Sequence, residues 1–276
     1  MSSTVDQSLP YKPPSRQFFE RSAILGTIFT AIVGLFAVLD VNPLVVFTEA
    51  HYAWDLTKEM MPPKLSLLWE SNGLYDSIGE TISAAFLGTV FGGTFALVLS
   101  FLAAQNTAPS KWARSVMRTI FSVERAIPEF ATLLVIIAVV GVGPFTSTLA
   151  LTIASIGFCG RLCADAIENI DRKPIEGLDV VGSTQLQTIR YGVLPQVAPS
   201  FLSTLFYMFD VNLRRAIVLG YFGGGGLGFE LERSKGMLQY KDMLAYTLCI
   251  IVLVMLMERV SDFVRRRIIN VDTQLK

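Results

Sequence analysis

The chain has 276 residues, 52% hydrophobic and 17% charged, with a mean hydropathy of +0.51; soluble domains carry roughly a quarter charged residues, so it cannot cover a water-facing globule. Lys plus Arg and Asp plus Glu balance at 23 each, without the basic excess of a nucleic-acid partner, and three Cys with a single His, His51, supply neither a disulfide framework nor a metal set. What remains is an all-α polytopic membrane protein.

A spanning helix takes about 20 mostly apolar residues. Residues 1–21 form a polar tail, followed by an apolar stretch of spanning length over 22–40. No small-residue cleavage site follows it, so it reads as an uncleaved anchor. Residues 41–77 are acidic and aromatic and are expected to fold partly at the membrane interface. A transmembrane domain over 78–268 then holds five more spans, at 81–104, 119–141, 144–163, 199–222 and 243–264, before a tail over 269–276. The second span is free of charge and carries Gly88 and Gly92 at a helix-packing spacing. Cys159 and Cys163 sit one turn apart and read as small core residues. Six spans place both termini on one side. With the N-terminus cytoplasmic, fifteen Lys and Arg lie inside and seven outside, Arg125 falling within a span; the positive-inside rule selects that orientation.

Charges inside spans carry the next inference. An ionised group at mid-bilayer costs at least ~2.5–3.5 kcal/mol, so it pairs or lines a wet cavity. Asp210 and Arg214 are four apart and share a helix face. Arg215 lies about 100° further round and needs another partner, for which Glu124, Arg125 and Glu129 in the third span are the candidates. Two roles are open for this set: a structural ion-pair lattice, or a path in which Arg214 and Arg215 attract an anion and Asn212 adds a neutral hydrogen bond. Gly223, Gly224 and Gly225, within GGGGLG, close the fifth span. They formally match a dinucleotide fingerprint but follow a membrane helix, so a bend or gate is expected there instead. In the cytoplasmic loop over 165–195, apolar residues Ile175, Leu178, Val181, Leu186 and Ile189 recur at helical spacing, with Pro174 and Gly182 as punctuation. Two short amphipathic helices joined at Gly182 are expected, a surface suited to a partner. No Gly-x-x-x-x-Gly-Lys-Ser/Thr run occurs, so the chain is not itself an ATPase.

That loop resembles the Glu-Ala-Ala loop of ABC-importer permeases: Glu176-Gly177-Leu178, then Gly182, then Leu194-Pro195. Gly177 and Leu178 depart from the two alanines. FDVNLRRAIVLGYFGGGGLG (209–228), RAIPEF (125–130) and GVGPF (141–145) are similar to permeases of the phosphonate-importer family over roughly residues 76–268. The resemblance implies a six-helix type I ABC-importer permease fold in the bacterial inner membrane. It also implies uptake of phosphonate, phosphite, hypophosphite or phosphate by ATP-driven alternating access. Expected partners are a cytoplasmic ATPase dimer, a periplasmic binding protein, a second permease (itself or a paralogue) and membrane lipid. The ATPase would bind ATP and Mg and dock at Glu176, Gly177 and Gly182; this chain would hold no cofactor, metal or catalytic residue and touch no nucleic acid. The main alternative is a proton-coupled carrier using Glu124, Glu129 or Asp210. An intramembrane enzyme would need a nucleophile and base, for which the single His leaves little material.

Overall fold

The computed structural model describes residues 15–38, 45–70 and 72–274, which contain helices and no strand. The chain divides into two units at Lys58/Glu59. The first holds α1 (Ser15–Val38), α2 (Val45–Thr48) and most of α3 (Ala50–Met60). Side chains 21–38 of α1 are exposed within this unit and mostly apolar, as befits a helix long enough to cross a membrane. Of the expected tails, 1–14 and 275–276 lie outside the described residues, whereas 15–21 and 269–274 continue helices.

The second unit runs through α4 (Leu67–Glu70), α5 (Asn72–Ala103), α6 (Lys111–Ala126), α7 (Glu129–Val140), α8 (Pro144–Glu168), α9 (Lys173–Val180), α10 (Gln185–Thr188), α11 (Leu194–Leu219), α12 (Gly226–Gly236) and α13 (Tyr240–Gln274). Wide π turns at Ile189–Val193 and Gly220–Gly224 lead into and out of α11. Among the described residues, α1, α5, α8 and α13 are long and apolar enough to cross a membrane; α11 has the length but carries Asp210, Arg214 and Arg215.

α5 and α8 form the spine. Gly88 and Gly92 bring the two backbones together: a Cβ on Gly88 would lie 2.7 Å from the Leu151 Cβ, and one on Gly92 2.6 Å from the Thr152 carbonyl oxygen. Without a hydrophobic force between helices in lipid, small residues are what allow such close packing. α8 supplies the matching stripe (Ala150, Ala154, Ser155, Cys159, Cys163), and both cysteines are buried and free. Leu133, Leu151, Leu213 and Leu219 fill one core cluster, and Phe121, Ile167, Val193 and Val197 a second. Gly160 makes room for the Phe121 ring.

The third expected span, 119–141, is two helices, because Pro128 interrupts it. Proline has no N–H and pushes its predecessor out of the α region. Ile127 accordingly sits at φ −85°, ψ 123°, and the chain restarts with the Ala131 N–H bonding the Pro128 carbonyl at 2.9 Å.

Candidate functional site: a charged cavity at a broken helix

The break leaves two helix ends with opposite partial charges, and the sequence answers each: Arg125 in the last turn of α6 and Glu129 in the first turn of α7. From α11, Arg215 reaches the Glu129 carboxylate at 2.8 Å. Arg214 points the other way and donates to Asp210 Oδ2 at 2.6 Å and to Glu258 Oε1 of α13 at 2.5 Å. Two successive arginines thus tie α11 to α7 on one side and to α13 on the other. Arg125, Glu129, Arg214 and Arg215 share the wall of a cavity of about 530 Å³, with Pro128 and Val218 among its apolar lining.

Other expected site residues sit elsewhere. Glu124 makes no ion pair among the described residues; its carboxylate is wedged against Gly157, with Oε2 buried and without a donor. Arg125, on the cavity wall, also has no ion pair among the described residues, its guanidinium lying 5.9 Å from the centroid of the Phe158 ring. Asn212 does not line the charged cavity. It is fully buried between helices, and its Nδ2 donates to Thr89 Oγ1 (2.9 Å) and Ser155 Oγ (2.8 Å). The helical position that separates it from Arg214 turns it into the α5–α8 seam.

The glycines after α11 are tied to α8 rather than left open. The Gly143 N–H bonds the Gly223 carbonyl (3.0 Å), and the Ser147 hydroxyl bonds the Gly224 carbonyl (2.8 Å). Gly223 and Gly225 have φ of +103° and +78°, and a Cβ on Gly225 would lie 2.8 Å from Pro144, so glycine is required. Gly224 is buried, and Gly225 borders a second cavity, of about 420 Å³, whose charged lining is Asp76, Glu80 and Glu230. The backbone donors that open α12 are already occupied: the Gly226 N–H by Glu80 Oε2 at 2.8 Å and the Leu227 N–H by Thr81 Oγ1 at 2.9 Å.

In the loop over 165–195, Glu176 is exposed in the first turn of α9 and Gly177 faces open space. Gly182 takes φ +77° and its N–H bonds the Asp179 carbonyl at 3.0 Å, a left-handed helix stop. Thr184 and Gln187 then start α10 with a reciprocal capping box. The left-handed turn divides the expected apolar face: Ile175 and Leu178 pack towards Gly192, while Val181 and Leu186 are 77% and 75% exposed.

Sequence reasoning missed Glu258, although its signal is the one that revealed Asp210, a lone acid in an apolar run (IVLVMLMERV). It also missed Glu80 and Thr81, whose roles depend on contacts 146 residues away.

A broken helix beside a charged cavity, in a bundle of apolar helices, is a recurring feature of membrane transport proteins. The model of the family described as "Binding-protein-dependent transport system inner membrane component" matches residues 96–270, and the chain belongs to that family. The phosphite transport system permease protein PtxC of Stutzerimonas stutzeri is 35% identical over 211 residues, 76% of each chain. The phosphate-import permease protein PhnE of Mycolicibacterium smegmatis is 33% identical over 256 residues, 93% of this chain and 48% of that protein. Among solved structures, a chain of the inward-facing MetNI methionine ABC transporter superposes with a TM-score of 0.62 at 21% identity, covering 74% of this chain and 99% of that one. The chain is therefore a permease subunit of a binding-protein-dependent ABC importer with a type I permease fold, and the proton-coupled carrier alternative falls away.

Proposed function

We propose that this permease moves a phosphorus oxyanion, in the class of phosphite, phosphonate, hypophosphite or phosphate, across the bacterial inner membrane with both termini cytoplasmic. The observation that carries the reading is the convergence of Arg125, Arg214 and Arg215 on one cavity at a broken membrane helix. Guanidinium forks match tetrahedral oxyanions in shape and charge. Arg214 and Arg215 already have carboxylate partners with which an anion must compete, so binding is weak enough to permit release, as a path requires. The relatives' printed substrates, phosphite and phosphate, support the same class.

The ATPase dimer docks on the α9–α10 pair, with Glu176, Gly177 and Gly182 in the contact and exposed Val181 and Leu186 seated in its groove. ATP and Mg stay on that partner. A second permease, a copy of this chain or a paralogue, completes the path, and a periplasmic binding protein delivers the anion to the outer end near Gly223–Gly225. ATP-driven closure of the ATPases draws the α9–α10 elements together and opens that end; hydrolysis reverses the movement. No catalytic residue, cofactor, metal or nucleic acid enters this scheme.

The test is uptake into proteoliposomes by the complex purified through a tag on this chain, with its binding protein and each of the four oxyanions. ATP-dependent uptake of at least one is expected. Uptake of none with ATP present overturns the substrate class.

A further inference from the structure

Arg214 is bound by two carboxylates at once, 2.6 Å from Asp210 and 2.5 Å from Glu258. The trio carries one net negative charge, so an anion that approaches Arg214 is repelled until one carboxylate leaves. The two are not equivalent. Asp210 is on the same helix one turn away, and its side chain is only 15% exposed; Glu258 comes from α13, and its side chain is 46% exposed. Asp262, one turn beyond Glu258, pairs with Arg265 at 2.9 Å and is not available as a substitute. The second oxygen of Asp210, Oδ1, is buried and has no donor. A buried carboxylate oxygen without a partner is costly, and a ligand O–H is what would satisfy it.

Resting on the oxyanion reading above, we propose that the transported anion displaces Glu258 from Arg214 and donates its own P–OH to Asp210 Oδ1, making Glu258 the residue that sets access to the path. The preferred ligand then carries both a P–O⁻ and a P–OH, as the monoanions of phosphite, phosphate and alkylphosphonates do. Hypophosphite, whose two oxygens bear no proton at neutral pH, makes only half of the contact. The exchange has a mechanical consequence. Glu258 is an ionic tie between α11 and α13, so arrival of the anion breaks a link between the two helices.

The experiment is a phosphorus-NMR titration of the purified importer complex, without binding protein, using phosphite and hypophosphite. Glu258→Gln is expected to tighten phosphite binding about fivefold, equivalent to ~1 kcal/mol, and Arg214→Gln to abolish it. Phosphite binds the unaltered complex more tightly than hypophosphite does, and Asp210→Asn removes that preference. A Glu258 tie that is merely structural predicts lower thermal stability with unchanged or weaker affinity, and that result overturns the proposal, as does equal binding of the two anions. If Glu258→Gln does not assemble, Glu258→Asp, which keeps the charge but shortens its reach, serves instead: tighter phosphite binding supports the exchange, and no tightening overturns it. Failure of the wider reading looks different, because the unaltered complex then takes up none of the oxyanions with ATP.

Discussion

Replacing Asn212 with alanine separates a structural clasp from a path residue. Asn212 is fully buried, and the replacement removes its hydrogen bonds to Thr89 (2.9 Å) and Ser155 (2.8 Å). Hydrogen bonds between membrane helices contribute ~0.6 kcal/mol each on average, and a void of at least a methyl group costs a further ~1 kcal/mol. Thr89 keeps its bond to the Ala85 carbonyl (2.7 Å), so only Ser155 is left short. The buried Asn212 Oδ1 has no donor, and its removal returns part of the loss. The net is ~1.5 kcal/mol, a fall of about 3–6 °C in the thermal midpoint for a chain of this size. Size-exclusion chromatography of the heated complex reads that shift. Transport by the surviving complex is expected to keep its KM. An unchanged midpoint with a raised KM would refute the burial argument and return Asn212 to the path.

Gly92→Val drives a side chain into Ser155 and the Thr152 carbonyl; overpacking of this kind costs ~1–3 kcal/mol, so the yield of folded permease should drop, whereas Gly26→Ala, with open space around it, should leave that yield intact. Arg215→Gln and Glu129→Gln each strand one charge of a pair 27% and 31% exposed, and each should lower the thermal midpoint more than the double substitution, which strands neither; additive losses would mean the pair is not coupled. Val181→Asp places a charge on a 77% exposed apolar position and should abolish co-purification of the ATPase while the permease itself stays folded; retention of the ATPase would move the docking surface elsewhere.

Chain-local chemistry made much of this molecule legible. Apolar runs of spanning length marked α1, α5, α8 and α13, and the four-residue spacing of Asp210 and Arg214 placed both on one face of α11, where their side chains meet. The Gly182 stop was readable because positive φ favours glycine in a way the sequence displays. Illegible parts depend on long-range geometry. Hydropathy averages over Pro128, so one apolar stretch hid two helices. Asn212 and Arg214 look alike as polar residues in a span, yet their angular separation sends one into the α5–α8 seam and the other to a cavity wall. Glu124 shows the same limit: its turn of α6 faces Gly157, and the small residue that admits its carboxylate offers no donor.

The glycine-rich turn is a poor anion site, which favours the arginines as the groups that hold the proposed oxyanion. A helix N-terminus that follows glycines attracts oxyanions, because its backbone N–H groups are unpaired and its dipole end is positive. α12 starts that way at Gly226, but Glu80 and Thr81 of α5 occupy its first donors. An internal carboxylate already sits where an external anion would go, and Asp76 and Glu230 beside it make the adjoining cavity repel a second one. The same contact joins α5 to α12 and holds the turn in place. On the proposed path, such a negative rim gives an anion no resting place, which leaves the guanidinium groups of Arg125, Arg214 and Arg215 to hold it. On the proposed reading, selectivity among oxyanions rests on what Arg214 and its two carboxylates accept, and the glycines supply the tight turn that joins α11 to α12.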